Sequence, residues 1–147
     1  MPEYPAPYPL ALPLHPPGDE GAAPPRPALS LTLPGDPRSA SVARAAVTAA
    51  LQVHGLTAYL WPAVAVAAEM VTVAARATPG RDLYLALRHR DDALRLLVWD
   101  QHSPNPPCMA RRRRALWLLA AVVDDWGGEW GVRDGLPGSK AWAVLPR

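Results

Sequence analysis

The residues of this sequence best suited to chemistry are isolated carboxylates, a histidine–cysteine pair and a run of arginines. Glu69 is the only charged residue between Leu56 and Ala75. A carboxylate in such an apolar stretch is suited to act as a general base, or it needs a cationic partner, because a buried charge is tolerated only when it is paired. We favour an ion pair, with Arg76 or one of Arg111 to Arg114 as the partner.

A second group of candidates follows a predicted strand. Asp100 comes directly after the apolar segment 93–99, and Asp at such a position commonly accepts hydrogen bonds from the backbone N–H groups of the loop that follows. His102 and Cys108 lie six residues apart in the same loop. Two ligands do not make a tetrahedral zinc site, so we predict no metal centre there.

The third candidate is the arginine run Arg111 to Arg114. Such a cluster can hold a phosphate, an acidic protein surface or nucleic acid, or it can be a solvated helix face. We expect a helix from Arg111 to Trp126, so the four cations would oppose the dipole at its N-terminus. This mismatch favours a bound anion or an acidic partner.

The composition predicts a tail and one domain. Ten of the nineteen prolines fall in residues 1–27, which predicts a disordered tail of polyproline II character, either an inert segment or a ligand with Tyr4 and Tyr8 as anchors. Residues 28–147 are enough for one core. The net charge of +2 is too small to imply a nucleic-acid partner, and the single cysteine, Cys108, and the lack of an export signal favour the cytoplasm.

The patterning predicts an α+β sandwich of two layers, with one mainly antiparallel, mixed sheet and helices on one face. The apolar helix around Glu69 is interrupted by Pro62 and is therefore expected in the core rather than in a membrane. The predicted elements are strand 28–33, helix 38–54 with Val42, Ala45, Ala46, Ala49, Ala50 and Val53 on its apolar face, helix 59–77, strands 81–88 and 93–99 joined by loop 89–92, loop 101–110, helix 111–126, and strands at 131–133 and 141–145. We expect five tryptophans to serve packing: Trp99, Trp117, Trp126, Trp130 and Trp142.

This order of elements, with Glu69-Met70-Val71-Thr72 in the second helix and Leu97-Val98-Trp99-Asp100 at the sheet edge, resembles the GHKL ATPase fold. The resemblance is to the branch of small anti-sigma-factor serine-kinase-like proteins, and it covers residues 29–145. It also rests on segments 39–44, 125–127 and 138–145.

The resemblance implies a nucleotide site that has lost most of its working groups. In the family, Glu69 would be accompanied four residues later by a Mg²⁺-binding Asn, but that position holds Val73, which offers no oxygen ligand. The next position on the helix face, often His, is Ala77.

The remaining positions of that site have changed as well. Asp100 would accept a hydrogen bond from the adenine amino group, and the glycine that follows it in the family is His102 here. The glycines of the phosphate-binding loop align with Arg113 and Ala115, and the Thr that supports the aspartate aligns with Lys140.

We therefore expect a degenerate member of this family that is not an enzyme and has no cofactor. It would act by binding a protein such as a sigma factor, an anti-sigma antagonist or a transcription regulator. One alternative is ATP bound in an altered mode, without conventional Mg²⁺ coordination, through Asp100 and the arginine run. A third is nucleic-acid binding through Arg111 to Arg114, which we expect less. No membrane partner is expected, and a homodimer remains open.

Overall fold

The computed structural model of the chain describes residues 28–102, 106–135 and 138–147. The predicted proline-rich tail lies outside the described residues. The described elements follow the predicted order, with the last helical segment in two pieces. They are β1 (Leu29–Leu33), α1 (Ser39–Val53), a 3₁₀ turn (Thr57–Tyr59), α2 (Leu60–Ala77), β2 (Leu83–Arg90), β3 (Ala93–Asp100), α3 (Pro106–Ala115), α4 (Trp117–Trp126), β4 (Glu129–Gly135) and β5 (Gly138–Pro146).

The five strands form one open sheet in the order β1-β2-β3-β5-β4. All four neighbouring pairs are antiparallel. Helix α2 lies at the centre of the helical layer, where it packs against α1, α4 and the middle of the sheet. The predicted α+β class, with a two-layer sandwich, is confirmed.

Alternation along the strands divides the sheet into an inner and an outer face. On β2 and β3 six inner positions hold leucines and one valine, all 0–1% exposed: Leu83, Leu85, Leu87, Leu94, Leu96 and Val98. These side chains join the buried side chains of α1, α2 and α4 in one core. The strand residues between them point to the outer face, so the two faces have different compositions.

The first helix buries a different stripe from the one that periodicity predicted. Of the six predicted positions only Ala50 is buried, whereas Val42 is 51% and Val53 is 81% exposed. The buried stripe instead contains Val47 and Leu51. Because the helix is rich in alanine, several faces look apolar, and the face with the bulkiest side chains packs against α2.

The segment after β3 also differs from the prediction. Part of the predicted loop 101–110 is helical, since α3 begins at Pro106, and the helix predicted from Arg111 is interrupted at Leu116 before α4 begins. Arg112, Arg113 and Arg114 therefore lie in the last turn of α3. Cations there are favourable to the helix dipole, so the predicted mismatch at a helix N-terminus does not exist.

One described helix, Thr57–Ala77, is long and apolar enough to cross a membrane by length and composition alone, and 61% of its most apolar window is buried. Burial of that kind is expected of a core helix in a small globular domain. Val66, Ala67, Met70 and Val71 of this helix are all fully buried in the core.

The turn between β2 and β3 is tighter than the predicted four-residue loop. Its two residues, Asp91 and Asp92, have φ values of 54° and 56°. Positive φ at both central positions is characteristic of a type I′ turn, which matches the twist of the two strands. The Tyr59 hydroxyl donates a hydrogen bond to the Asp92 carbonyl oxygen (3.2 Å), and burial raises the pKa of this tyrosine.

This turn leads to a prediction about stability. Asp91→Asn with Asp92→Gly should raise the free energy of unfolding by about 0.5–1 kcal/mol, because Asn-Gly occupies this turn with less strain than two aspartates. Urea unfolding of the full chain measures the difference. The same two changes at the exposed Asp124 and Asp125 of α4 should not stabilise the protein, because glycine weakens a helix. An unchanged or lower stability for the turn variant would contradict the assignment.

Candidate functional site

The clearest polar arrangement in the described structure surrounds Asp100, the last residue of β3. Its side chain points to the inner face and is 0% exposed. One carboxylate oxygen, Oδ1, accepts a hydrogen bond from the backbone N–H of His102 (2.8 Å). The other, Oδ2, accepts one from Nη2 of Arg112 (2.5 Å). Asp100 therefore does close the loop that follows it, and it also forms a buried ion pair.

Arg112 reaches this carboxylate from the last turn of α3. Its side chain is 5% exposed, and its Nε and Nη1 atoms have no hydrogen-bond partner among the residues that the structure describes. A buried donor without a partner costs about 1–3 kcal/mol. The ion pair thus holds α3 over the end of β3, but it does so with part of the guanidinium unsatisfied.

Ser139 completes the surroundings of Asp100. It is opposite Asp100 in the β3–β5 ladder and is 0% exposed, and its hydroxyl lies 3.3 Å from the His102 carbonyl oxygen. The family resemblance places the supporting position at Lys140, which is opposite Trp99 and points to the outer face. Ser139 could have been found by parity, because it shares the inner register with Ala141, Ala143 and Leu145.

Gly138 is required by the close approach of the strands at this point. A Cβ atom on Gly138 would collide with the backbone carbonyl oxygen of Asp100 and would lie 2.9 Å from the Trp99 ring. Any other residue here would push β5 away from the end of β3. The glycine therefore helps to keep the Asp100 side chain enclosed.

The predicted histidine–cysteine pair is brought together beside the same loop. His102 Nε2 and Cys108 Sγ are 2.9 Å apart, and Cys108 is partly exposed in the first turn of α3. Among residues 28–102, 106–135 and 138–147 no group of three or more potential metal ligands occurs. Two ligands do not hold a zinc ion tightly, so the pair serves to connect α3 with the loop after β3.

The other arginines of the run do different things. Arg113 Nη2 donates a hydrogen bond to the Val132 carbonyl oxygen (3.2 Å), which connects α3 to β4. Arg111 and Arg114 are exposed. The run is therefore one buried ion-pair partner, one structural link and two exposed cations, rather than a continuous basic patch.

Glu69 lies on another surface. It is partly exposed and lines a groove of about 540 Å³ on the outer side of the helical layer. In the described part of the chain it forms no ion pair, so neither Arg76 nor the arginine run neutralises it. Val73 is 7% exposed within the core, and Ala77 ends the helix. Asp100 is not among the residues that line the Glu69 groove.

The groove is lined by three helices. Its walls are Arg44 and Thr48 of α1, Leu60, Trp61, Val64, Ala65, Ala68 and Glu69 of α2, and Leu118 of α4. Trp61 is 53% and Leu118 is 37% exposed. The Trp61 ring meets the edge of Trp126 with ring centroids 5.9 Å apart, which fixes its position.

The predicted packing role of the tryptophans is met only in part. Trp99 is 7% exposed, and Trp126 and Trp130 pack against the core. The prediction is wrong for Trp117, which is 70% exposed at the start of α4. Trp142 is partly buried on the outer face of the sheet, outside the core.

No protein-family model matches the chain, and no curated protein matches it either.

The Asp100–Arg112 pair generates a second prediction. Arg112→Ala should lower the free energy of unfolding by about 3–5 kcal/mol, because it leaves a buried carboxylate without its cation. Arg111→Ala, one residue away and exposed, should change it by less than about 0.5 kcal/mol. Urea unfolding measures both.

A double variant tests whether the cost lies in the unpaired charge. Asp100→Asn with Arg112→Met should recover most of the lost stability, since neither side chain is charged. Equal losses for Arg112→Ala and Arg111→Ala, or no recovery in the double variant, would show that the pair does not hold α3.

Proposed function

We propose that this domain is a regulatory protein that acts by binding another protein and does not turn over ATP. The observation that carries the proposal is the state of Asp100. Its two oxygens accept from Arg112 and from the His102 backbone, and its side chain is fully buried. An adenine amino group would have to displace Arg112 before it could reach this carboxylate.

The positions that would bind Mg²⁺ and phosphate in the family also argue against ATP turnover. If the GHKL resemblance holds, the Mg²⁺ ligand position is Val73, which is buried in the apolar core and offers no oxygen. The two glycine positions of the phosphate loop are Arg113 and Ala115, both on α3. The groups that would position phosphates and stabilise charge in phosphoryl transfer are therefore replaced.

The groove on the helical layer supports protein binding. It combines large exposed apolar side chains, Trp61 and Leu118, with single charges of opposite sign at Arg44 and Glu69. Such a groove suits the apolar face of an amphipathic helix, with the charges fixing its direction. In line with the family resemblance, the partner would be a sigma factor, an anti-sigma antagonist or a transcription regulator in the cytoplasm.

A partner assay tests the groove. Purified sigma factors and sigma-factor antagonists of the host are titrated with the full chain by calorimetry, and one of them should bind below about 10 μM. Trp61→Glu should weaken that binding at least 30-fold, as expected for a central aromatic contact. Val53→Glu, at an exposed valine outside the groove, is the matched control and should bind normally. No binding at 10 μM, or equal binding by Trp61→Glu, counts against the proposal.

ATP bound in an altered mode is the second candidate, and one observation favours it. In the described part of the chain the buried Nε and Nη1 atoms of Arg112 have no acceptor, so a ligand that supplied one while displacing Arg112 from Asp100 would regain hydrogen bonds.

Calorimetric titration with ATP, with and without Mg²⁺, separates the two candidates. We expect no binding tighter than about 100 μM, equivalent to roughly 5.5 kcal/mol. Tighter binding that disappears in Asp100→Ala and persists in Arg111→Ala would favour the nucleotide sensor. The comparison is made at a temperature where thermal unfolding shows both variants to be folded.

A further inference from the structure

The outer face of the sheet concentrates positive charge. The outward positions of the described strands hold five cations, Arg88, Arg90, Arg95, Arg133 and Lys140, and one carboxylate, Glu129. Between the cations lie Leu97 and Trp142, which are opposite each other in the β3–β5 ladder. We call the outward side chains of Arg88, Arg95, Leu97, Arg133, Lys140 and Trp142 the open sheet face.

Four of these cations are arranged in a way that folding does not favour. Arg88 is directly opposite Arg95, and Lys140 is directly opposite Arg133. Like charges in direct cross-strand pairs destabilise a sheet. No carboxylate lies within ion-pair distance of any of the four in the described part of the chain. An anionic ligand would remove this repulsion. The arrangement therefore indicates that this face binds an anion.

Trp142 provides a flat aromatic surface between the two cation pairs. A Cβ atom on the opposite residue, Gly131, would lie 2.8, 2.9 and 3.0 Å from three indole atoms, Cζ2, Cε2 and Nε1. These short distances place the indole ring directly against the Gly131 backbone. Trp142 is only partly buried, so part of its ring is accessible from solvent. Gly131 is needed here, because a side chain would tilt the ring off the sheet.

The register sets the path of a ligand across this face. The reference row contains Leu97 and Trp142, which are opposite each other. The pair Arg88 and Arg95, on β2 and β3, lies two residues along the strands in one direction. The pair Lys140 and Arg133, on β5 and β4, lies two residues in the other direction. Two rows on each side correspond to a diagonal run with about 13 Å between the cation pairs along the strands. A polyanion on this diagonal would pass over Trp142 midway.

We propose that the open sheet face binds single-stranded nucleic acid, with the two cation pairs contacting phosphates and Trp142 stacking on a base. Single strands are bound in this manner by other proteins, through a basic surface that follows the backbone and aromatic rings that accept any base. A second copy of the chain does not fit, because face-to-face packing would bring together two sets of cations. An acidic peptide fits the charges but, unlike a single strand, does not carry an aromatic ring at every repeat to stack on Trp142.

The test uses the full chain and fluorescence anisotropy with labelled 20-nucleotide oligo(dT) and oligo(U) at 50 mM salt. Binding should be in the micromolar range and should weaken steeply with salt. Arg88→Gln with Arg95→Gln should lower the affinity at least tenfold and reduce the salt slope by about 1.4, the value for two lost phosphate contacts on a single strand. Trp142→Leu should lower the affinity about tenfold with an unchanged slope.

Matched controls lie elsewhere on the surface. Arg76→Gln with Arg81→Gln removes two exposed cations near the end of α2, and Trp117→Leu removes an exposed tryptophan of α4. Both variants should bind the oligonucleotides as the unchanged protein does. The melting temperature of the Arg88→Gln/Arg95→Gln variant should be equal or higher, since the change relieves repulsion. A loss of binding therefore cannot be ascribed to unfolding.

Three results would overturn the proposal. The first is no oligonucleotide binding at 100 μM protein. The second is binding that the open-face variants and the controls alter equally. The third is competition by poly-glutamate at equal charge concentration with the same dependence on Trp142, which would assign the face to an acidic polypeptide.

Discussion

The buried ion pair between Asp100 and Arg112 is the interaction on which the arrangement of α3 depends. A carboxylate at 0% exposure must be paired, and the pairing cation comes from a helix twelve residues further along the chain. Arg113 adds a single bond to β4, so the helix is fixed to both the end of β3 and the edge strand. Because Nε and Nη1 of Arg112 lack partners among the described residues, the ion pair stabilises the position of α3 less than a fully satisfied network would.

The sheet separates two kinds of surface by alternation alone. Its inner positions are nearly all Leu, Val and Ala, and its outer positions mix cations with aromatic rings. A whole-chain net charge of +2 conceals this separation. Residues 1–27 contain three acids and one arginine, so residues 28–147 carry +4, from fourteen cations and ten acids. Five of those fourteen lie on one face of the sheet, where local charge decides what can bind.

The order of elements could be predicted from sequence, because β2 and β3 alternate cleanly and Gly55 and Gly127 end their helices with positive φ. The buried face of α1 could not, since alanine gives little contrast between faces. The partner of Asp100 could not be predicted either, because it depends on where α3 begins and on which face Arg112 occupies. Ser139 and Lys140 are neighbours in the chain, so a shift of one residue in the β3–β5 pairing determines which of them lies opposite Asp100. The contact between Trp142 and Gly131 could not be predicted either, because it exists only across the β4–β5 ladder; the sequence predicted only a packing role for Trp142.

The paired cations of the outer sheet face have a consequence for protein engineering. Replacing Arg88 or Arg133 by a neutral or acidic residue would relieve repulsion with the residue across the ladder. A selection for heat resistance alone would therefore accept such changes readily, whereas it would retain the leucines of the inner face. Thermostable variants of this domain would be expected to lose the charge pattern of the sheet while they keep the fold.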